Sequence, residues 1–131
     1  MYRILLAVDA DERRAKHQAE VVGDMPGVDE AEVVIYHCFS DNPSGASATQ
    51  VASVHRAEEY LKERGVQTDI TESSGDTATE IVEMAEEVDA NIICVGGRKR
   101  SPTGKALFGS VAQSVILSTD LPVVVTGSGR Q

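Results

Sequence analysis

Aromatic residues are scarce in this 131-residue chain, at 4%, and tryptophan is absent. The hydrophobic share of 41% must therefore come mainly from Val, Ile, Leu and Ala. Such residues suit strands that are covered by helices on both faces. The length predicts a single domain, residues 1–131, and the sequence contains neither an internal repeat nor a linker.

Long hydrophobic runs are also missing. No run approaches the roughly 20 apolar residues that cross a bilayer. The apolar run at residues 4–8 is too short for a secretory signal and ends at Asp9. We therefore expect a cytoplasmic protein without a membrane partner.

Cysteine is limited to Cys38 and Cys94, which lie in separate apolar runs. The two form no CxxC pair, and no nearby His or Cys completes a zinc site. We expect both thiols to be buried and reduced, and we expect no metal site.

Basic residues are outnumbered, with 12 Lys and Arg against 21 Asp and Glu, which gives a net charge of −9. Such a surface repels phosphate backbones and argues against a nucleic-acid partner. Four of the 12 basic residues nevertheless fall close together, as Arg98, Lys99, Arg100 and Lys105. On charge alone, this cluster fits either a solvated loop or a site for a small anion.

Hydrophobic periodicity predicts strands and helices in alternation. Apolar segments typical of strands lie at residues 4–8, 31–39, 91–95 and 121–125, and residues 66–71 alternate as a short, half-exposed strand would. A loop is predicted at residues 40–47. Because strands that alternate with helices pair in parallel, we expect an α/β fold, a three-layer sandwich around a five-stranded parallel sheet.

Local signals predict the helix ends. Asp11 is expected to cap the first helix, and Gly65 to end the second. Thr77 with Glu80 fits a capping box for the third helix. The fourth is expected at residues 110–118. Pro122 cannot donate to a ladder, which predicts that the fifth strand is an edge.

Candidate site residues follow two of the predicted strands. Asp9 follows the first strand, and Gly96-Gly97 follows the fourth. Ligands of open parallel sheets bind beyond the carboxyl ends of the strands. The first amides of a helix that begins at Gly109-Ser110 also attract an anion. The alternative is an ordinary strand–loop–helix connection with a Ser cap. His37, on the second strand, is expected to be packed.

Two phosphate-binding motifs are excluded. Residues 101–106 fail the P-loop pattern, because Lys99 stands where a glycine is needed and Ala106 follows the lysine. No GxGxxG follows the first strand, so a Rossmann dinucleotide site is unsupported.

The whole chain nevertheless resembles the universal stress protein family. The matching segments are residues 4–9, 34–38, 75–76, 92–96 and 109–125. The family's ATP signature is glycine, two residues, glycine, nine residues, then glycine and Ser or Thr. Gly96 and Gly109-Ser110 match it with the spacing intact, and Lys99 replaces the middle glycine. The resemblance implies an adenine nucleotide alpha hydrolase-like, Rossmann-like fold with strand order 3-2-1-4-5.

The resemblance also implies a ligand site. Asp9 would contact the base, Cys38 would line the adenine pocket, and the glycine segment with the last helix would hold ribose and phosphates. The cofactor-binding residues expected in this way are Ala7, Val8, Asp9, Cys38, Val95, Gly96, Arg98, Lys99, Gly109, Ser110, Val111 and Ala112. No catalytic residue is expected.

The function implied is that of a stress-response regulatory protein. It would bind ATP or a related adenine nucleotide, with or without Mg²⁺, between strands one and four, and form a homodimer through Val123, Val124 and Val125 of strand five. An enzyme is not expected, although slow ATP hydrolysis stays open. Lys99 supports an alternative, a nucleotide-independent stress-response interaction module.

Overall fold

The computed structural model describes residues 1–39, 47–100, 104 and 106–127, and this part of the chain forms seven strands and four α-helices. Of the predicted loop at residues 40–47, positions 40–46 lie outside this described part. The elements are β1 (Tyr2–Ala7), α1 (Glu12–Gly23), β2 (Ala31–Phe39), α2 (Ala52–Glu63), β3 (Gln67–Ser74), α3 (Thr77–Glu87), β4 (Ile92–Val95), β5 (Arg98–Arg100), β6 (Ala106–Phe108), α4 (Ser110–Ser118) and β7 (Val123–Val125).

Five of these strands form one parallel sheet, in the order β3-β2-β1-β4-β7. The expected order 3-2-1-4-5 is confirmed, since β7 is the fifth strand of this sheet. β1 is central, and its Leu6 lies opposite Ile35 of β2 and Cys94 of β4. Because β1 and β4 are parallel neighbours, their carboxyl ends lie side by side. β7 is an edge strand, as Pro122 predicted.

Helices cover both faces of the sheet and give the expected three layers. Alternate residues of the strands point to opposite faces. Leu6 and Ile35 pack on the side of α1 and α2, whereas Leu5 and Val34 pack on the side of α3 and α4. Apolar side chains therefore fill the interface between sheet and helices on each face, and the sheet is held between two pairs of helices.

A two-stranded antiparallel hairpin, β5–β6, stands between β4 and α4. Arg98 lies opposite Phe108 in this hairpin. One residue further out on each strand, the Gly109 N–H donates to Gly97 O at 2.9 Å. The sequence predicted only a loop here, because β5 consists of basic residues and shows no apolar alternation. Antiparallel pairing brings Gly97 and Gly109 together at the base of the hairpin.

Helix capping follows the sequence at α1 and departs from it at α3. The Asp11 carboxylate accepts the Arg14 N–H at 2.9 Å, and this bond lowers the pKa of Asp11. At α3 the predicted capping box on Thr77 is wrong. Asp76, in an extended conformation, is the N-cap and accepts the Thr79 N–H at 3.2 Å. Thr77 is already helical.

We predict that Asp76→Ala lowers the melting temperature more than Thr77→Ala does, because only Asp76 satisfies an amide at the start of α3. Hydrogen bonds from Thr79 lower the pKa of Asp76. Its stabilising effect is therefore present above the unfolded-state pKa and is lost as the pH falls through the folded-state value. Thermal melts of both variants at neutral and acidic pH test this, and equal losses would contradict it.

Candidate functional site

A crevice of about 550 Å³ opens at the carboxyl ends of β1, β2 and β4. Its volume falls within the range of small-molecule sites. The residues that line it are Ala7, Val8, Asp9, Ala10, Arg14, Gln18, Tyr36, His37, Cys38, Phe39, Thr77, Ile81, Val95, Gly96, Gly97, Gly109, Val111 and Ala112. Asp9 and the glycine turn, Gly96-Gly97, therefore share one crevice.

Most of the site residues expected from the sequence line this crevice. They are Ala7, Val8, Asp9, Cys38, Val95, Gly96, Gly109, Val111 and Ala112. Ser110 is exposed at the first turn of α4 and is not part of the lining. The side chains of Arg98 and Lys99 lie outside the part of the chain that the structure describes.

The glycine turn touches the start of α4. Gly97 has φ +104°, a left-handed conformation that favours glycine, and its carbonyl accepts the Gly109 N–H. A Cβ at Gly97 would lie 3.9 Å from the Ala112 Cβ. The two segments that the sequence assigned to an anion site are thus in direct contact.

The start of α4 has no side-chain cap. Gly109 is its N-cap, and no side chain hydrogen-bonds there, so the expected alternative of a Ser cap is absent from this described helix. The amides of Ser110, Val111 and Ala112 have no acceptor within the helix. Because Val111 and Ala112 line the crevice, the positive end of α4 meets it.

Asp9 and Arg14 form the polar end of the crevice. One carboxylate oxygen of Asp9 accepts the Asp11 N–H at 2.9 Å, and the other lies 3.4 Å from Arg14 Nε. Arg14 also packs on the turn, with its Cδ 3.3 Å from where a Cβ on Gly96 would lie. The half-exposed Asp9 carboxylate keeps lone pairs free to accept from a ligand.

β2 supplies lining side chains on both faces of the sheet. His37 is packed, as expected, with 8% exposed, and its Nδ1 lies 2.9 Å from Val8 O. The Tyr36 hydroxyl, on the other face, hydrogen-bonds to the Ser73 hydroxyl, and burial raises the pKa of Tyr36. Both residues reach the crevice because β2 runs on past the end of β1.

Sequence reasoning missed the contribution of α1. Arg14 and Gln18 are one helical turn apart and face the end of β1, where the Gln18 amide donates to Ala7 O at 2.8 Å. The i, i+4 spacing of two long polar residues was the available signal. Gln18 is almost completely buried, at 1% exposed, although its type predicted a surface position.

The two thiols differ in access. Cys94 is buried as expected, and burial raises its pKa to about 12. The expectation of burial is wrong for Cys38, which is half-buried and lines the crevice. Cys38 lies near the carboxyl end of β2, at the edge of the core and facing the crevice. Neither thiol is in a disulfide.

The described helices include none that is both long and apolar enough to span a bilayer.

Three comparisons relate the chain to known proteins. The sequence model described as "Universal stress protein family" matches residues 1–127. The universal stress protein of Mycolicibacterium smegmatis is 33% identical over 105 residues, which covers 75% of this chain and 81% of that protein. A universal stress protein structure from Archaeoglobus fulgidus is 30% identical with a TM-score of 0.70, covering 95% of this chain and 98% of that one.

A second Archaeoglobus fulgidus universal stress protein was solved in complex with dAMP. It is 22% identical with a TM-score of 0.71, and the match covers 95% of this chain and 97% of that one. At this identity the likeness shows the fold alone.

We predict that the folded protein reacts with iodoacetamide at Cys38, and that Cys94 is at least about tenfold slower because it is buried and protonated. Peptide mass spectrometry of the labelled protein measures both sites. Unfolding in guanidinium should expose both thiols. Equal labelling rates in the folded protein would contradict the access that the structure gives to Cys38.

Proposed function

This chain belongs to the universal stress protein family, and from that premise we propose that it is a stress-response regulatory protein that binds an adenine nucleotide in the crevice. One observation carries the proposal. The Gly97–Gly109 contact holds an uncapped helix start, which favours anions, within the same crevice as the Asp9 carboxylate. A ligand with a hydrogen-bond-donating amino group at one end and phosphate at the other matches this polarity.

In this proposal, the phosphate end of the ligand meets the start of α4. The amides of its first turn, which find no side-chain acceptor in the described part of the chain, lie at the positive end of the helix dipole. Gly97 allows the backbone to approach closely, since a side chain there would need a strained conformation. Arg98 and Lys99 belong to the proposed binding set as well, as does Ser110 through its amide.

The base end of the ligand meets Asp9 and the half-buried Cys38. The wall between them is apolar and includes Val8, Ile81 and Val95. An adenine ring suits such a surface, because it buries a flat face and presents an amino group to the carboxylate. The dAMP complex of the Archaeoglobus fulgidus protein is consistent with an adenine ligand in this fold.

ATP, with or without Mg²⁺, is the proposed physiological ligand. Among the described residues, no cluster of three His, Cys, Asp or Glu side chains is placed to hold a metal, so Mg²⁺ would arrive on the phosphates. The described residues at the start of α4 also include no carboxylate that could serve as a general base. We therefore propose regulation by occupancy rather than by turnover, with bound nucleotide changing the surface that the crevice presents to a partner.

We predict that adenine nucleotide binding is measurable by isothermal titration and that Asp9→Asn weakens it about tenfold, because a charged acceptor for the amino group is lost. Asp11→Asn is the matched control. It lies two residues away, does not line the crevice, and asparagine caps a helix as well as aspartate does.

Two results would count against this. Equal affinity of the Asp9 and Asp11 variants for the nucleotide would show that Asp9 does not bind it. No heat and no thermal shift with millimolar ATP, ADP or AMP would reject the nucleotide function and favour the nucleotide-independent interaction module.

We further propose a homodimer formed by the edge strand β7. Pro122 O and the Thr126 N–H both bond to β4, so the backbone groups of Val123 and Val125, on alternate positions, face the free edge. Pairing of this edge with a second copy would satisfy them and cover three valines.

We predict that Val125→Pro converts the dimer to a monomer, because proline removes an outward N–H while an edge strand tolerates it. Val124→Ala is the control, since its backbone groups face β4. Size-exclusion chromatography with light scattering measures the mass. A monomeric wild type, or a dimeric Val125→Pro variant, would contradict pairing through this edge.

A further inference from the structure

Charge is divided unevenly along the chain. Residues 1–89 contain 20 Asp and Glu against seven Lys and Arg, whereas residues 90–131 contain one against five. The one acidic residue of the second part is Asp120, so residues 90–119 have no carboxylate side chain. In the fold, this second part supplies β4, β7 and the elements attached to them, at one end of the sheet. The protein therefore has a basic end and a strongly acidic remainder.

The exposed apolar side chains are concentrated at the same end. Seven large apolar side chains of the described residues are exposed, and five of them lie between residues 107 and 117. Val111 is one of the five and lines the crevice. The other four lie outside the crevice lining and are Leu107, Phe108, Ile116 and Leu117. We call these four residues the apolar flank.

Gln113 connects the two parts of the apolar flank. Its side-chain amide donates to Phe108 O at 2.8 Å, which holds it beside the end of β6. Ile116 and Leu117 follow it at spacings of three and four residues, so all three share one face of α4. Leu117 is 85% exposed. The flank therefore runs from β6 along α4, and a continuous exposed apolar surface of this kind marks an interaction site.

Basic residues lie at one end of the apolar flank. β5 consists of Arg98, Lys99 and Arg100, and its register pairs Lys99 with Leu107 and Arg98 with Phe108. Residues that lie directly opposite each other in an antiparallel pair share a face of the ribbon. Each face of the hairpin therefore combines a basic residue with an exposed apolar one. The complementary surface has carboxylates next to large apolar side chains.

We propose that the β5–β6 hairpin and the apolar flank bind a short segment of another protein in which Asp or Glu residues adjoin large apolar residues. The carboxylates of the segment meet β5, and its apolar side chains cover the flank. A wide anionic surface, such as a membrane or duplex nucleic acid, fits less well. It would also approach residues 1–89, whose acidic residues exceed the basic ones by 13.

Fluorescence anisotropy of the full chain with a fluorescein-labelled peptide, Asp-Glu-Asp-Leu-Phe-Glu-Leu-Leu, tests this. In one control peptide serine replaces every apolar residue, and in the other asparagine and glutamine replace the acidic residues. The wild type should bind the first peptide at least about tenfold more tightly than either control, because each control removes one complementary feature. Salt at about 0.5 M should weaken the binding by screening the charges.

Two variants locate the binding surface. Leu117→Gln keeps a good helix former and should weaken peptide binding about tenfold, because apolar contact area is lost. Arg100→Glu reverses one charge of β5 and should weaken it at least as much. The matched controls are Tyr2→Gln, at an exposed apolar residue of β1, and Lys16→Glu, at an exposed residue of α1. Both controls should stay within about twofold of the wild type.

Four results overturn the inference. The first is no binding of the peptide by the wild type at about 100 μM protein. The second is an equal effect of Arg100→Glu and Lys16→Glu, since net charge alone would then act. The third is tighter binding to phosphatidylserine vesicles or to duplex DNA than to the peptide. The fourth is a change in the mass of Leu117→Gln by light scattering, which would show that a second copy covers the flank.

The outcome for Leu117→Gln does not depend on whether Arg100→Glu preserves the hairpin, because Leu117 lies on α4. A wild-type affinity for the peptide in Leu117→Gln would also contradict the inference. Nucleotide binding is measured separately, and no residue of the apolar flank lines the crevice. Failure of peptide binding and failure of nucleotide binding are therefore distinguishable.

Discussion

The hydrogen bond from the Gly109 N–H to Gly97 O joins the end of β4 to the beginning of α4. Between these two residues the chain leaves the sheet, forms the β5–β6 hairpin and returns. Together with the packing of Ala112 and Val115 in the core, that closure fixes the first turn of α4 relative to the strand ends. The position of the amides of this first turn, and hence the electrostatic character of one end of the crevice, depends on that arrangement.

The other end of the crevice depends on the parallel sheet. β1 lies between β2 and β4, so the residues that follow its last paired position enter a space bounded by both neighbours. β2 continues beyond β1 and offers alternate side chains, Tyr36 and Cys38 on one face and His37 on the other. A short central strand with a longer neighbour therefore produces a polar pocket above an apolar core.

The strands, their parallel pairing and the bounds of α4 were predictable because strong local signals agreed with each other, whereas the sheet order was implied by the family resemblance. Continuous apolar runs marked the buried strands, and a glycine marked the start of the helix. The hairpin was not predictable in this way, since three consecutive basic residues carry no apolar face. The cap of α3 depended on backbone angles at Asp76, which composition does not report. Lining by Arg14, Gln18 and His37 depends on tertiary contacts, and the i, i+4 spacing of Arg14 and Gln18 was the local signal that pointed to part of it.

The closure at Gly97 and Gly109 has a consequence for how this segment tolerates insertions and deletions. In an antiparallel ribbon, adding or removing one residue on each strand leaves the opposing pairs in register, whereas an odd change shifts one strand and reverses its faces. The hairpin between the two glycines can therefore vary in length by pairs of residues without displacing α4. Insertions and deletions of an even number of residues are therefore the changes that such a ribbon permits during evolution.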